Sequence, residues 1–205
     1  MSVLHLGCVG DSLSKGPDSN LHVQISKVSN VLWGVDINFQ GIEELKRWLP
    51  EDNEGRIHYL CGDAENLQNL KIERHFQLVL AGSTIEHLAN PGLMLAGAKA
   101  FCEKEGEIII TPHSFGLLQF LRVAFRRLES VNPEHTCWFS FSTLNKLCSR
   151  YNLTPVEWLT GYGYKQPGLK GILKRAIGVP FFRLFPHLGG SLMVVLKPLN
   201  ENTYK

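Results

Sequence analysis

Near the start of the chain, Val3-Leu4-His5-Leu6 runs directly into Gly7-Cys8-Val9-Gly10-Asp11. A short, nearly continuous apolar run reads as a strand buried on both faces, as a parallel sheet requires. Gly7 and Gly10 then let the backbone turn tightly and approach a bound group closely. A second run, Val31–Val35, ends on Asp36. Strand, glycine turn, helix, strand and acid within about 30 residues is the layout of a nucleotide-type cofactor site. A carboxylate at that strand end can accept both hydroxyls of a ribose. The full Gly-x-Gly-x-x-Gly pattern is not met, since Val9 holds the middle position and no third glycine follows. The same residues would also make a plain tight turn in any α/β protein.

The rest of the first half repeats the theme. Arg56–Cys61, Phe76–Ala81 and Glu107–Thr111 read as further strands. Between them lie helical patterns. The first is capped by Asp18 or Ser19, with Leu21, Ile25 and Val28 on one face and His22 turned away. The second is capped by Asn38, carries Ile42, Leu45 and Leu49, and stops at Pro50; the third runs from Asn90-Pro91 to about Glu103, before Gly106. Strand and helix alternating in this way predict a parallel sheet with helices on both faces. Right-handed connections then open every strand C-terminus on one edge, where such sheets bind ligands. Gly7, Asp36, Asp63, Ser83 and His113 each follow a predicted strand end.

The second half reads differently. Phe115–Leu128 is amphipathic, with Leu117, Leu118, Leu121, Phe125 and Leu128 on one side and Arg122, Arg126 and Arg127 off it. It suits either a lid within residues 113–135 or an ordinary packed helix. Ser142 is the expected cap of a helix carrying Leu144, Leu147 and Cys148, and Val156–Leu159 and Ser191–Lys197 complete the strands. Residues 161–190 are rich in Gly, Phe, Lys and Arg and read as a substrate- or membrane-facing insertion in one domain spanning 1–205. A formal charge of +2 argues against an extended nucleic-acid surface. Five scattered cysteines without a C-x-x-C pair suggest reduced thiols, and with a strand starting at once and no long apolar run the expectation is a cytoplasmic protein.

In order and spacing, LHLGCVGD, VLWGVDIN, CGDAENL, FQLVLAGSTIEHLANPG, GEIIITPH and EHTCWFSFSTLNKL resemble the class I S-adenosylmethionine-dependent methyltransferases over residues 3–160. The resemblance implies a doubly wound, Rossmann-like sheet of seven strands, mostly parallel with the last antiparallel. It implies S-adenosyl-L-methionine as cofactor. Gly7, Cys8, Val9 and Gly10 then match the loop around its methionine part, Asp36 the ribose acid, and Ile37 the apolar neighbour of the adenine. Asp63 and Ala64 match the pair beside the adenine ring. Ala81, Gly82 and Ser83 match the segment lining the sulfonium, and Glu86 a residue of the cofactor pocket wall. Two departures stand out: His5 where the family usually has Asp, and Asp11 where it usually has a third glycine. Helices that often precede the first strand and cover the site are missing, so the expected pocket is more open or closed by a partner.

The branch with the GCVG loop and the IEHL-NPG segment resembles methyltransferases of bacterial surface polysaccharides and natural products. A small-molecule acceptor follows, with a sugar or natural-product hydroxyl as the expected target. Removing its proton calls for a base, and His87, His113 and His135 are the candidates; a capping or solvated histidine is the plain alternative for each. The set Glu86, His87 and His135 also resembles the ligands of metal-dependent small-RNA 2′-O-methyltransferases. Ser83 stands where the first Glu of that group would be, so no metal is assigned. A cofactor-binding module without turnover is the other alternative. A nicotinamide enzyme is disfavoured by the missing third glycine. Leu169–Leu188, with Lys170, Lys174, Arg175 and Arg183, suits a membrane or a lipid-linked acceptor, or else a packed crossover. Trp138 and Phe139 suit stacking on an acceptor or core packing.

Overall fold

Strand β1 (Ser2–Leu6) is buried along its whole length because both of its faces are covered. Leu4 and Leu6 enter one apolar layer and Val3 the other. Each fully buried leucine contributes about 1.5–3 kcal/mol. The computed structural model describes residues 1–10, 15–52, 54–129, 131–161 and 169–199. Asp11 and the side chains of Lys170, Lys174 and Arg175 lie outside the described residues.

β2 (Val31–Asp36), β3 (Ile57–Cys61), β4 (Phe76–Gly82), β5 (Cys102–Thr111), β6 (Leu153–Gly161) and β7 (Ser191–Pro198) join β1 in a seven-stranded sheet, ordered β3-β2-β1-β4-β5-β7-β6. β1 to β5 pair in parallel, and β7 runs antiparallel to both of its neighbours. The expected fold class is therefore observed. Helices α1 (Leu21–Ser26) and α2 (Phe39–Trp48) belong to one layer; α3 (Pro91–Phe101) and α5 (Phe141–Arg150) belong to the other. α4 (Leu117–Arg126) follows β5, and α6 (Leu169–Leu184) precedes β7.

Register builds the site. Leu6 lies abreast of Val35 on β2 and Ala81 on β4. Asp36 pairs with Cys61, and Gly82 with Thr111. The residues that follow these pairs therefore emerge side by side along one rim.

Several local expectations are corrected. α1 is capped by Asn20, whose Oδ1 accepts from the Val23 N–H at 3.2 Å, while Asp18 and Ser19 belong to the 3-10 turn before it. The helix ends at Ser26, so Val28 and also Leu21 are exposed. His22 is fully buried rather than turned outward, because its ring stacks on His5 at 5.3 Å. α3 stops at Phe101, and Glu103–Gly106 on β5 bulge opposite Gln77 alone. Gly106 permits this, since a Cβ there would lie 2.9 Å from the Gln77 carbonyl oxygen. α5 is capped by Ser140, not Ser142, because Ser140 and Thr143 satisfy each other's backbone N–H groups in a capping box. β6 begins three residues earlier than expected; Pro155 is accommodated by a bulge on this edge strand.

Candidate active site

At the rim, Gly7 adopts φ 71° and Gly10 φ 55°, the left-handed region that suits glycine. The Gly7 N–H donates to the Val35 carbonyl at 2.8 Å. A Cβ on Gly7 would land on Thr84 Oγ1, the hydroxyl that bridges the Leu6 and Gly82 carbonyls at 3.2 and 3.1 Å. The turn thus needs a residue without a side chain.

Asp36 is held from both sides. Its Oδ2 accepts from the Val9 N–H and its Oδ1 from the Asn38 N–H, each at 2.9 Å. Each oxygen accepts one bond and keeps a second lone pair. Asn20 closes the same loop by donating from Nδ2 to the Val9 carbonyl at 2.9 Å. Asp63 caps the next 3-10 turn, with Oδ1 accepting from Glu65 N–H at 2.8 Å. Ile37 stands 73% exposed on the rim, an apolar surface ready for a flat ring.

A cleft of about 950 Å³ runs along these residues. Gly7, Val9, Gly10, Asp36, Ile37, Asp63, Ala64, Gly82 and Ser83 all line it, as do His87, His113 and His135. Three expected wall residues do not. The side chains of Cys8 and Ala81 turn into the core. Glu86 lies fully buried beside the wall, not on it. Sequence reasoning passed over Lys15, Asn132 and Glu134, which also line the cleft. The signal for the last two was Asn-Pro-Glu-His: Asn132 Oδ1 accepts from the Glu134 N–H at 3.1 Å, and its carbonyl from the His135 N–H at 2.9 Å.

The histidines form one cluster. Thr136 sews their segment to the end of β4, donating from its N–H to the Glu86 carbonyl at 2.8 Å and from its hydroxyl to the Leu88 carbonyl at 2.6 Å. The His135 ring centroid is then 4.9 Å from that of His113 and 4.6 Å from that of His87. His113 Nδ1 is 3.5 Å from Glu86 Oε1. Burial pushes the Glu86 carboxyl above its ordinary range, against the pull of His113 and His87. Neither Glu86 oxygen has a hydrogen-bond partner among the described residues. Glu86, His113 and His135 bring ligand atoms within 4.8 Å of one another, a donor set suited to a transition ion. Trp138 meets His135 and Phe115 edge-on, whereas Phe139 is core.

Known proteins resemble the chain in part of its sequence and in its fold. Residues 14–110 match the family model of the methyltransferase domain. The fold is similar to an S-adenosylmethionine-dependent methyltransferase of Clostridium acetobutylicum, with TM-score 0.64, 12% identity and coverage of 97% of this chain and 84% of that one. It is also similar to magnesium protoporphyrin IX methyltransferase of Synechocystis, solved with bound S-adenosylhomocysteine, with TM-score 0.62, 10% identity and coverage of 97% and 74%. A third similar structure is the O-methyltransferase of a trans-AT polyketide synthase of Brevibacillus brevis, with TM-score 0.60, 12% identity and coverage of 97% and 67%. No curated protein sequence matches the chain. Residues 14–110 thus resemble a methyltransferase domain, and the fold is the one seen in these S-adenosylmethionine-dependent methyltransferases. No described helix is long and apolar enough to cross a membrane.

Proposed function

We propose that the chain methylates a hydroxyl of a small acceptor, a sugar or natural-product intermediate, with His113 as the base. The observation that carries this reading is the His113 imidazole, 3.5 Å from a buried carboxylate and in the same cleft as Asp36. The cleft fits the donor: the Gly7 turn is a cradle that a Cβ would fill, and Asp36 offers two anchored oxygens. When bound, S-adenosyl-L-methionine supplies an electrophilic methyl on a sulfonium. Asp36 holds the ribose hydroxyls, Ile37 packs on the adenine and Asp63 stands beside it. Lys15 is placed to meet a carboxylate. Glu86 orients the His113 ring, and His113 takes the acceptor's hydroxyl proton as the oxygen attacks. Small-molecule chemistry among the structural neighbours, the porphyrin and polyketide enzymes, supports the acceptor class.

His113→Asn tests the base. Turnover on a hydroxyl acceptor is expected to fall roughly 10²–10⁴-fold with S-adenosylhomocysteine affinity unchanged. Unchanged turnover would remove His113 from the chemistry. A second reading has one observation in its favour, the Glu86–His113–His135 donor set. There a divalent ion, not a free imidazole, acidifies the hydroxyl. Activity that survives a chelator supports the base; loss restored by Mn²⁺ supports the ion.

A further inference from the structure

A surface helix normally turns its apolar stripe inward. α4 does not, and from Phe120 to Arg126 its apolar and basic side chains are all exposed. Phe125, Leu128 and Phe120 are 82%, 66% and 56% exposed, with Leu121 and Val123 also at the surface, while polar Gln119 is 6% exposed. Backbone contacts seat the start of the helix. The Ser114 N–H donates to the Gly190 carbonyl at 3.0 Å, and a Cβ on Gly116 would lie 2.5 Å from the Gly189 carbonyl oxygen.

A second apolar edge lies a few residues from Gly189. Leu184 and Phe185, at the end of α6 and a few residues before Gly189, are exposed too. Cations flank both. Arg122, Arg126, Arg127 and Arg183 are exposed, and none forms an ion pair among the described residues. Arg122 has one hydrogen bond, 3.4 Å to Gln119 Oε1. The nearest acid along the chain, Glu129, accepts the Trp138 indole N–H at 2.9 Å. Exposed phenylalanine and leucine beside uncompensated arginine are complementary to hydrocarbon and to anionic headgroups at once.

We propose that α4 and the Leu184–Phe185 edge dock the protein on an anionic lipid bilayer. This goes beyond the transfer reaction and does not depend on it. Where the hydroxyl transfer also holds, His113 lies four residues before α4, so the acceptor side of the cleft opens beside the lipid and suits an amphiphilic acceptor.

Co-sedimentation of the full chain tests the proposal, with vesicles of phosphatidylcholine alone or mixed equally with phosphatidylglycerol. S-adenosylhomocysteine titration of each variant serves as the separate readout of the cofactor site. The wild type should pellet with the anionic vesicles only, and less at high salt. Phe125→Ser should lower partitioning roughly tenfold. The pair Arg122→Gln with Arg126→Gln should lower it severalfold on anionic vesicles, with nucleoside affinity intact. Pelleting that persists while nucleoside binding fails would leave the docking standing and sink the cofactor reading. Three results overturn the docking: no pelleting of protein that binds the nucleoside, equal pelleting with phosphatidylcholine, or a solution dimer that Phe125→Ser dissociates.

Discussion

The two sides of the rim solve different problems. Around β1 and β2, the polar groups of the proposed donor side are held by named backbone partners, and apolar side chains pack beneath them. After β4 the pattern inverts. The Glu86 carboxyl is buried with no hydrogen-bond partner among the described residues, while α4 leaves phenylalanine and leucine in solvent. A donor common to a whole class needs a fixed mould, and hydrogen-bonded turns provide one. The acceptor side carries what distinguishes one enzyme from another, and there the local rules of burial are broken.

Substitutions can break this contrast, beginning with the strongest. Gly7→Val should abolish S-adenosylhomocysteine binding by calorimetry. The new side chain meets both a left-handed backbone and Thr84. Normal affinity would mean that nothing approaches the turn closely.

Acid should loosen the donor side. His5 and His22 face each other through Nδ1 at 3.1 Å, so one must donate and the other accept. Burial lowers the His5 pKa to about 4, and burial with its neighbour lowers that of His22 to about 2. Unfolded histidines take up protons near pH 6.5, and the folded pair resists until lower pH. Stability is therefore full above that value and falls as pH drops from about 6.5 to about 4, by about 1.4 kcal/mol per unit for each histidine that stays neutral. Urea midpoints at pH 7 and pH 5 check this; equal midpoints would mean the pair titrates freely.

Asn20→Ala should do least. It removes a helix cap worth about 1 kcal/mol and the grip on the Val9 carbonyl. A modest fall in melting temperature with a few-fold loss of nucleoside affinity is expected. Loss of stability without loss of affinity would limit Asn20 to capping.

Sequence made the donor side readable because its signals are local. A buried strand must be apolar, a tight turn needs glycine, and Asp36 follows its strand directly. Asn38 was equally plain, since its side chain accepts from Gly41 N–H three residues on. What stayed hidden depends on distant partners. His22 is drawn inward by His5 across 17 positions. Lys15 and Asn132 reach the cleft only through the fold. The stripe of α4 is visible as a pattern, yet periodicity gives no direction, and in the fold the helix stands exposed from Phe120 on.

The most direct test is calorimetric titration of the wild type and Asp36→Ala with S-adenosylhomocysteine. One nucleoside per chain should bind the wild type, and the substitution should weaken it at least tenfold by removing two ribose hydrogen bonds. No heat at millimolar nucleoside, or equal affinity in both proteins, would contradict a shared rim built around one donor.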